Sequence, residues 1–336
     1  MSDLTSFNPP VGQAEWLEPN LRRVLANNPS PMTYRGTNTY LLGKGDIAVI
    51  DPGPNTAEHL AAILAALEPD EAITHIFVTH SHIDHSPLAA DLSKATGAPV
   101  LAFGDSLAGQ SEIMRHLALN CLAGGGEGVD PDFAPDILLQ DGETVSGASW
   151  ALTDHHTPGH FGNHLSFEWD DALFSGDLVM GWANSLVSPP DGDLSDFMAS
   201  CTRLAAQSWR VFHAGHGAPV TNPAERLAWL ISHRQSREAQ ILAALRDGPA
   251  TAKSLTAQIY SDAPAALLPA AERNVFAHLV DLKQKSQIAA LPSLNITAQF
   301  SLLLSAAIFY TKTNKIRWTP PKGVVISPKY SGVAQR

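Results

Sequence analysis

The chain has 336 residues, 44% hydrophobic and 16% charged, which excludes a disordered polymer and leaves room for two domains, one with a sizeable core. A net charge of −11 argues against a broad basic footprint for a polyanion, and two cysteines, Cys121 and Cys201, exclude a disulfide framework. The charge is uneven: all 33 acidic residues precede residue 282, whereas residues 282–336 carry eight Lys and Arg and no acid.

Residues 1–5 lack a basic segment followed by an apolar core, so no secretory leader is expected. Residues 21–26 read as a first strand. Residues 28–42 begin as a turn-rich loop and end as a strand, and 46–51 form another, closing on Asp51-Pro52-Gly53. Apolar residues at Leu60, Ile63, Leu64 and Leu67 predict a helix over 57–67. The β-branched, apolar run 73–78 predicts a buried strand, and it leads into Thr79-His80-Ser81-His82-Ile83-Asp84-His85. Ser86 and Pro87 then read as the cap and first position of a helix. Strand alternation stops at such a loop, so its neighbouring side chains can face one centre. Three imidazoles and a carboxylate placed this way suit zinc or a similar divalent ion.

Residues 99–103 read as a short strand, and 104–135 carry no clear period. The glycine-rich stretch 124–128 lacks the Lys-Ser/Thr of a phosphate loop and reads as a surface loop. From 137 to 169 the pattern is strand-rich. His160 follows a turn after one strand, Asp177 ends the strand 172–177, and His216 follows the strand 211–215. His155 and His156 lie close enough to His160 in sequence to support it, and His59, His75, His116, His213, His233 and His278 have no comparable context. The loop 181–193 can form one wall of a pocket. A helix begins near Leu194, and three more cover 223–245, 251–260 and 269–285. The apolar stretch 296–310 is broken by polar residues and is too short for a membrane span, so a soluble, cytoplasmic protein is the default.

The order HxHxDH, GH, GD, GHG resembles that of the metallo-β-lactamase superfamily, and the pattern NPxxMTxxGTNTYLxG over residues 28–43 resembles its β-lactamase-like protein 2 group. The resemblance implies an α/β fold, an αββα sandwich over 1–221, followed by a winged-helix-like helical domain over 222–290. Residues 291–336 are left as an unassigned basic tail, a divergent terminus. Residues 222–281 hold six basic and six acidic side chains, so the second domain is expected to pack against the first or line its cleft rather than bind nucleic acid.

The resemblance also implies two divalent metal ions, zinc first and manganese or iron as alternatives. His80, His82 and His160 would hold one, Asp84, His85 and His216 the other, with Asp177 bridging. A water bridging two such ions is activated near neutral pH, with Asp84 as ligand and proton acceptor. Asp51 would support the ligands, unless it only forms the turn before Pro-Gly, and His164 would touch substrate or orient a ligand. No Gly-x-Ser-x-Gly elbow is needed. Expected substrates are a small ester, thioester or lactone first, then a short RNA, since the group includes an endoribonuclease. A homodimer is left open. A di-iron redox protein is disfavoured because that branch has Glu where His82 stands and adds a flavin domain, and a scaffold without metal is disfavoured by the full ligand set.

Overall fold

The computed structural model describes residues 7–303 except residue 127. The expected leaderless start and most of the expected tail therefore lie outside the described residues. A first sheet runs in the spatial order β1 (Ala14–Glu18), β2 (Leu21–Leu25), β3 (Asn38–Lys44), β4 (Asp46–Ile50), β5 (Ala72–Phe77), β6 (Val100–Ala102), β7 (Ile137–Leu138). A second holds β8 (Thr144–Ser146), β9 (Ala151–His156), β10 (Leu165–Trp169), β11 (Ala172–Gly176) and β12 (Val211–Ala214), side by side in chain order. Pairing is parallel from β4 to β7 and between β11 and β12, and antiparallel elsewhere.

Alternation along β4 shows why the sheets stack. Ile47 and Val49 face α1 (Ala57–Ala65) and α2 (Ala89–Thr96), packing with Ile63 and Leu92. Ala48 and Ile50 face the other way, into a core shared with Leu152, Phe167 and Phe174 of the second sheet. On that sheet's outer face, Leu173 and Phe212 pack under Phe197, Cys201 and Leu204 of α4 (Leu194–Ala205) and Leu227 and Leu230 of α5 (Pro223–Ala244). The result is the expected αββα sandwich, with its central strands buried on both faces by side chains of alternating direction.

Helix α3 (Glu112–Leu119) fills part of the stretch without a clear period; Ser111 caps it by accepting from Met114 N. The helix expected to start on Ser86 and Pro87 begins later, at Ala89. Ser86 Oγ donates instead to Asp130 Oδ2 (2.7 Å), a tertiary partner that takes it away from any capping role. Strand β1 has no clear signature in the sequence because it is an edge strand, half wetted, with Trp16 54% exposed.

The helical domain is built from the end of α5, then α6 (Ala252–Ile259), α7 (Leu268–Gln284) and a small sheet in the order β13 (Ala250–Thr251), β15 (Gln299–Leu302), β14 (Ile288–Leu291). Helices followed by this hairpin form a winged helix. The wing corrects the sequence boundary at 290: β14 and β15 pair across it, and Phe300 lies fully buried against Phe276. Helix α5 serves both cores, Leu227 and Leu230 in one, Ile241 in the other, where Leu245 of the following turn joins it. No helix among the described residues is long and apolar enough to cross a membrane.

One buried acid stands apart. Asp154, on the inward face of β9, has no partner on either carboxylate oxygen. Burial, reinforced by Glu143 and Asp141, pushes its carboxyl up to about 7. A raised carboxyl pKa means that the folded state binds the proton more tightly than the unfolded chain, so this stability is full below about pH 4 and is lost as pH rises through about 7. Asp154→Asn is expected to remove that slope and to be the more stable form at pH 8 by roughly 2 kcal/mol. Denaturant unfolding of both proteins between pH 5 and 8 checks it; parallel profiles would show that Asp154 does not titrate there.

Candidate metal centre

All seven side chains singled out in the sequence come from loops at the carboxyl ends of strands: His80, His82, Asp84 and His85 after β5, His160 after β9, Asp177 after β11 and His216 after β12. They meet at one edge of the sandwich. His82 Nδ1 lies 2.9 Å from His80 Nε2 and 3.0 Å from His160 Nε2. A few ångströms away, His216 Nε2 stands 3.1 Å from Asp84 Oδ2 and 3.3 Å from His85 Nε2. Asp177 lies between these sets: Oδ1 is 3.6 Å from His85 Nε2, and Oδ2 is 3.7 Å from His160 Nε2 and 3.3 Å from His216 Nε2.

The far nitrogens explain why the near ones converge. His85 Nδ1 donates to Asp51 Oδ2 (2.9 Å), His160 Nδ1 to the Leu186 carbonyl (2.7 Å) and His216 Nδ1 to the Gly36 carbonyl (3.1 Å). Thr79 Oγ1 donates to Asp51 Oδ2 (2.8 Å), so its lone pair is left to accept from His80 Nδ1 (2.9 Å). Each of these four rings is thereby held with its Nε2 toward the centre. Asp51 thus steadies one ring of each set, directly or through Thr79. It also holds a left-handed backbone (φ 52°) at the start of its turn, so both readings of it describe the same residue.

Electrostatics separates the two sets. Burial, then neighbouring histidines, keeps His80 well below its ordinary value and brings His82 down to about 3; burial also lowers His160. These three are neutral donors. Burial also opposes charge on His85 and His216, but the carboxylates outweigh it: Asp84, Asp51 and Asp177 hold His85 well above its ordinary value, and Asp177 and Asp84 raise His216 to about 9. Burial would raise Asp84 and Asp177 as well; His85 and His216 more than offset it and hold both well below the usual carboxylate range.

This arrangement fits two divalent cations. Three buried nitrogens, on His80, His82 and His160, crowd one point, and Asp177 Oδ1 is buried without a hydrogen-bond donor. A cation between them satisfies all of these atoms. The groups His80–His82–His160, Asp84–His85–His216 and His80–His85–Asp177 each bring their ligand atoms within 4.8 Å of one another. Close backbone approach makes the room: a Cβ on Gly215 would lie 2.5 Å from Asp177 Oδ1 and 2.7 Å from His85 Cε1.

His164 is corrected in part. It has no exposed surface and lies behind the centre, where its Nε2 accepts from the Asp177 backbone N–H (3.2 Å) and its Nδ1 donates to Thr157 Oγ1 (2.9 Å). Its ring faces Asp177 and Thr157 rather than the cavity, a position that suits the orienting role. His155 and His156 do not reach the centre; their rings bond Glu168 and the Gly162 carbonyl.

A cavity of about 690 Å³ opens onto His82, Asp84, His160 and Asp177. Its walls include Met32 of the 28–38 loop, Trp182 and Leu186 of the 181–193 loop, and Leu267 and Ala271 of the winged helix. Gly126 and Gly128 line it too, so the glycine-rich stretch is more than a surface loop: Ile83 N donates to the Gly128 carbonyl (2.9 Å), and Arg273 of α7 grips the Ala123 and Gly124 carbonyls. His233, set aside in the sequence, lies in the wall as well. Its position one turn from Leu230 on an amphipathic helix was the available signal.

Comparison with known proteins agrees with this geometry. Residues 32–228 match the metallo-beta-lactamase superfamily, and residues 251–292 match the beta-lactamase associated winged helix domain. The chain is similar to an atrochrysone carboxyl ACP thioesterase of Aspergillus fumigatus, 31% identical over 71% of this chain and 69% of that protein. It is also similar to the beta-lactamase-like protein 2 homolog of Caenorhabditis elegans, 31% identical over 82% and 86% of the two chains. A crystal structure of a metallo-beta-lactamase family protein from Thermus thermophilus superposes with a TM-score of 0.69 at 26% identity, over 86% of this chain and 100% of the other.

Proposed function

This chain belongs to the metallo-β-lactamase superfamily, and on that premise we propose that it hydrolyses a small ester, thioester or lactone, a thioester before the others. The observation that carries the reading is the cavity: Met32, Ile83, Met180, Trp182, Leu186 and Leu267 make it an apolar chamber that ends on the ligand cluster. Its volume suits a compact organic group rather than a polymer. The thioesterase named among the relatives favours a thioester.

His80, His82 and His160 would hold one divalent ion, Asp84, His85 and His216 the other, and Asp177 would join them. Bound there, the ions would polarise a carbonyl and supply a hydrolytic water of lowered pKa. The remaining work falls to the chain. Asp84 turns Oδ2 toward His216 and lies in the cavity wall, which leaves Oδ1 to accept a proton. His164 fixes Asp177 through its backbone. The apolar walls exclude bulk water and hold the acyl group over the cluster.

A panel of thioester, lactone, β-lactam, bis-nitrophenyl phosphate and short RNA substrates tests the assignment, each assayed with and without a chelator. The thioester is expected to give the highest kcat/KM, falling by about 10²-fold or more on chelation. A higher kcat/KM on RNA, or thioester cleavage indifferent to chelation, would overturn it.

A further inference from the structure

Arg234, on α5, lies in the cavity wall and is only 3% exposed. Its Nη1 donates to Asn274 Oδ1 (2.8 Å) and its Nη2 to the Ser185 carbonyl (2.5 Å), while its Nε has no partner. Its guanidinium carbon stands 5.1 Å from the centre of the Phe197 ring. These partners are neutral. No carboxylate among the described residues is in ion-pair contact with it, although two other arginines buried at least as deeply, Arg22 and Arg23, each have one in Glu71 and Glu15.

A guanidinium buried without a counter-charge is costly, and the cost is recovered when an anion arrives. The group has five N–H donors. The two bonds above use one on each Nη, and Nε–H is shut away from solvent, so one N–H remains on each Nη. Guanidinium N–H groups form charge-assisted hydrogen bonds with carboxylate oxygens. A single positive charge neutralises one negative charge, so a dianionic phosphate would leave the second charge desolvated in an apolar chamber. Ala263, Leu267, Ala270 and Ala271, from the winged helix, supply apolar surface to the same cavity.

We propose that Arg234 recognises a carboxylate carried by the acyl part of the substrate, while the apolar body of that acyl part rests on the winged helix. The proposal narrows the substrate class of the hydrolase reading and rests on it. The substrate is then an amphiphilic acyl compound with two functional ends: a scissile carbonyl at the ligand cluster, and an ionised carboxyl at Arg234. The second domain acts as a specificity wall.

The test uses the full, metal-loaded chain and two matched N-acetylcysteamine thioesters, 4-(4-carboxyphenyl)butanoyl and its neutral primary carboxamide. The readout is the ratio of their KM values, because lost support of the 181–193 loop would harm both alike. Wild type is expected to favour the carboxylate in KM by about 10-fold or more, Arg234→Lys to keep part of the preference and Arg234→Gln to lose it. Equal KM values in wild type, or a ratio unmoved in Arg234→Gln, would overturn the proposal. If Arg234→Gln fails to fold, Arg234→Lys decides, since its point charge must narrow the ratio. If neither thioester is cleaved, the hydrolase reading has failed separately. Calorimetry with 4-(4-carboxyphenyl)butanamide and its methyl ester then reads the anion site alone: tighter binding of the anion by wild type but not by Arg234→Gln upholds it, and equal binding overturns it.

Discussion

His82→Ala is expected to reduce hydrolysis by about 10³-fold or more and to lower the bound metal, with the fold intact. His82 Nδ1 is the atom that both His80 Nε2 and His160 Nε2 face, at 2.9 and 3.0 Å, so its loss opens the three-nitrogen set from the middle. The fold should survive because the ring is not part of a hydrophobic core, and the backbone of His82 keeps its bridge to Val129. Metal analysis, steady-state kinetics and a thermal melt on the same preparation check all three statements. Full activity in this variant would remove His82 from the ligand set.

Asp51→Asn is expected to weaken metal retention or activity by about 10- to 100-fold, although Asp51 is not a proposed ligand. Its two oxygens accept three hydrogen bonds: Thr79 N on Oδ1 (2.7 Å), and Thr79 Oγ1 and His85 Nδ1 on Oδ2 (2.8 and 2.9 Å). Asparagine has one acceptor oxygen, so its NH2 group must face a donor on one side. At the Oδ2 position it takes the acceptor from both His85 and the Thr79–His80 relay, and at the Oδ1 position it meets the Thr79 N–H head-on; either way the support of the ligands loosens. Titration with a metal-competing dye measures the affinity directly. Unchanged affinity would assign Asp51 to the Pro-Gly turn alone.

The strands that carry the ligands were legible because two simple signals coincide there. Residues 73–78 and 172–176 are short apolar runs, and each ends where a histidine or carboxylate follows. The other half of the site was hidden for identifiable reasons. In sequence His164 reads as a residue that touches substrate or orients a ligand, yet the chain re-enters β10 at Leu165 and carries the ring behind Asp177. Thr79 gives no signal at all, since a threonine at a strand end is ordinary. Its relay exists only because Asp51, 28 residues earlier, arrives beside it through β4–β5 pairing.

The cavity was the least legible part. Leu267, Ala270 and Arg234 come from helices whose periodicity predicts packing but not which gap is left beside it. The wing was missed because β14 and β15 have four residues each and a mixed pattern, and only their pairing and the burial of Phe300 define them. Local chemistry thus announced the centre, whereas its surroundings depend on long-range packing.

Seven side chains from four loops are proposed to hold a pair of divalent cations. Anomalous diffraction from crystals of protein purified without added metal measures this directly. Two peaks are expected about 3.5–4 Å apart, one among His80, His82 and His160, the other among Asp84, His85 and His216, with Asp177 reaching both. No peak among these residues, or a metal bound elsewhere in a fully active protein, would contradict it.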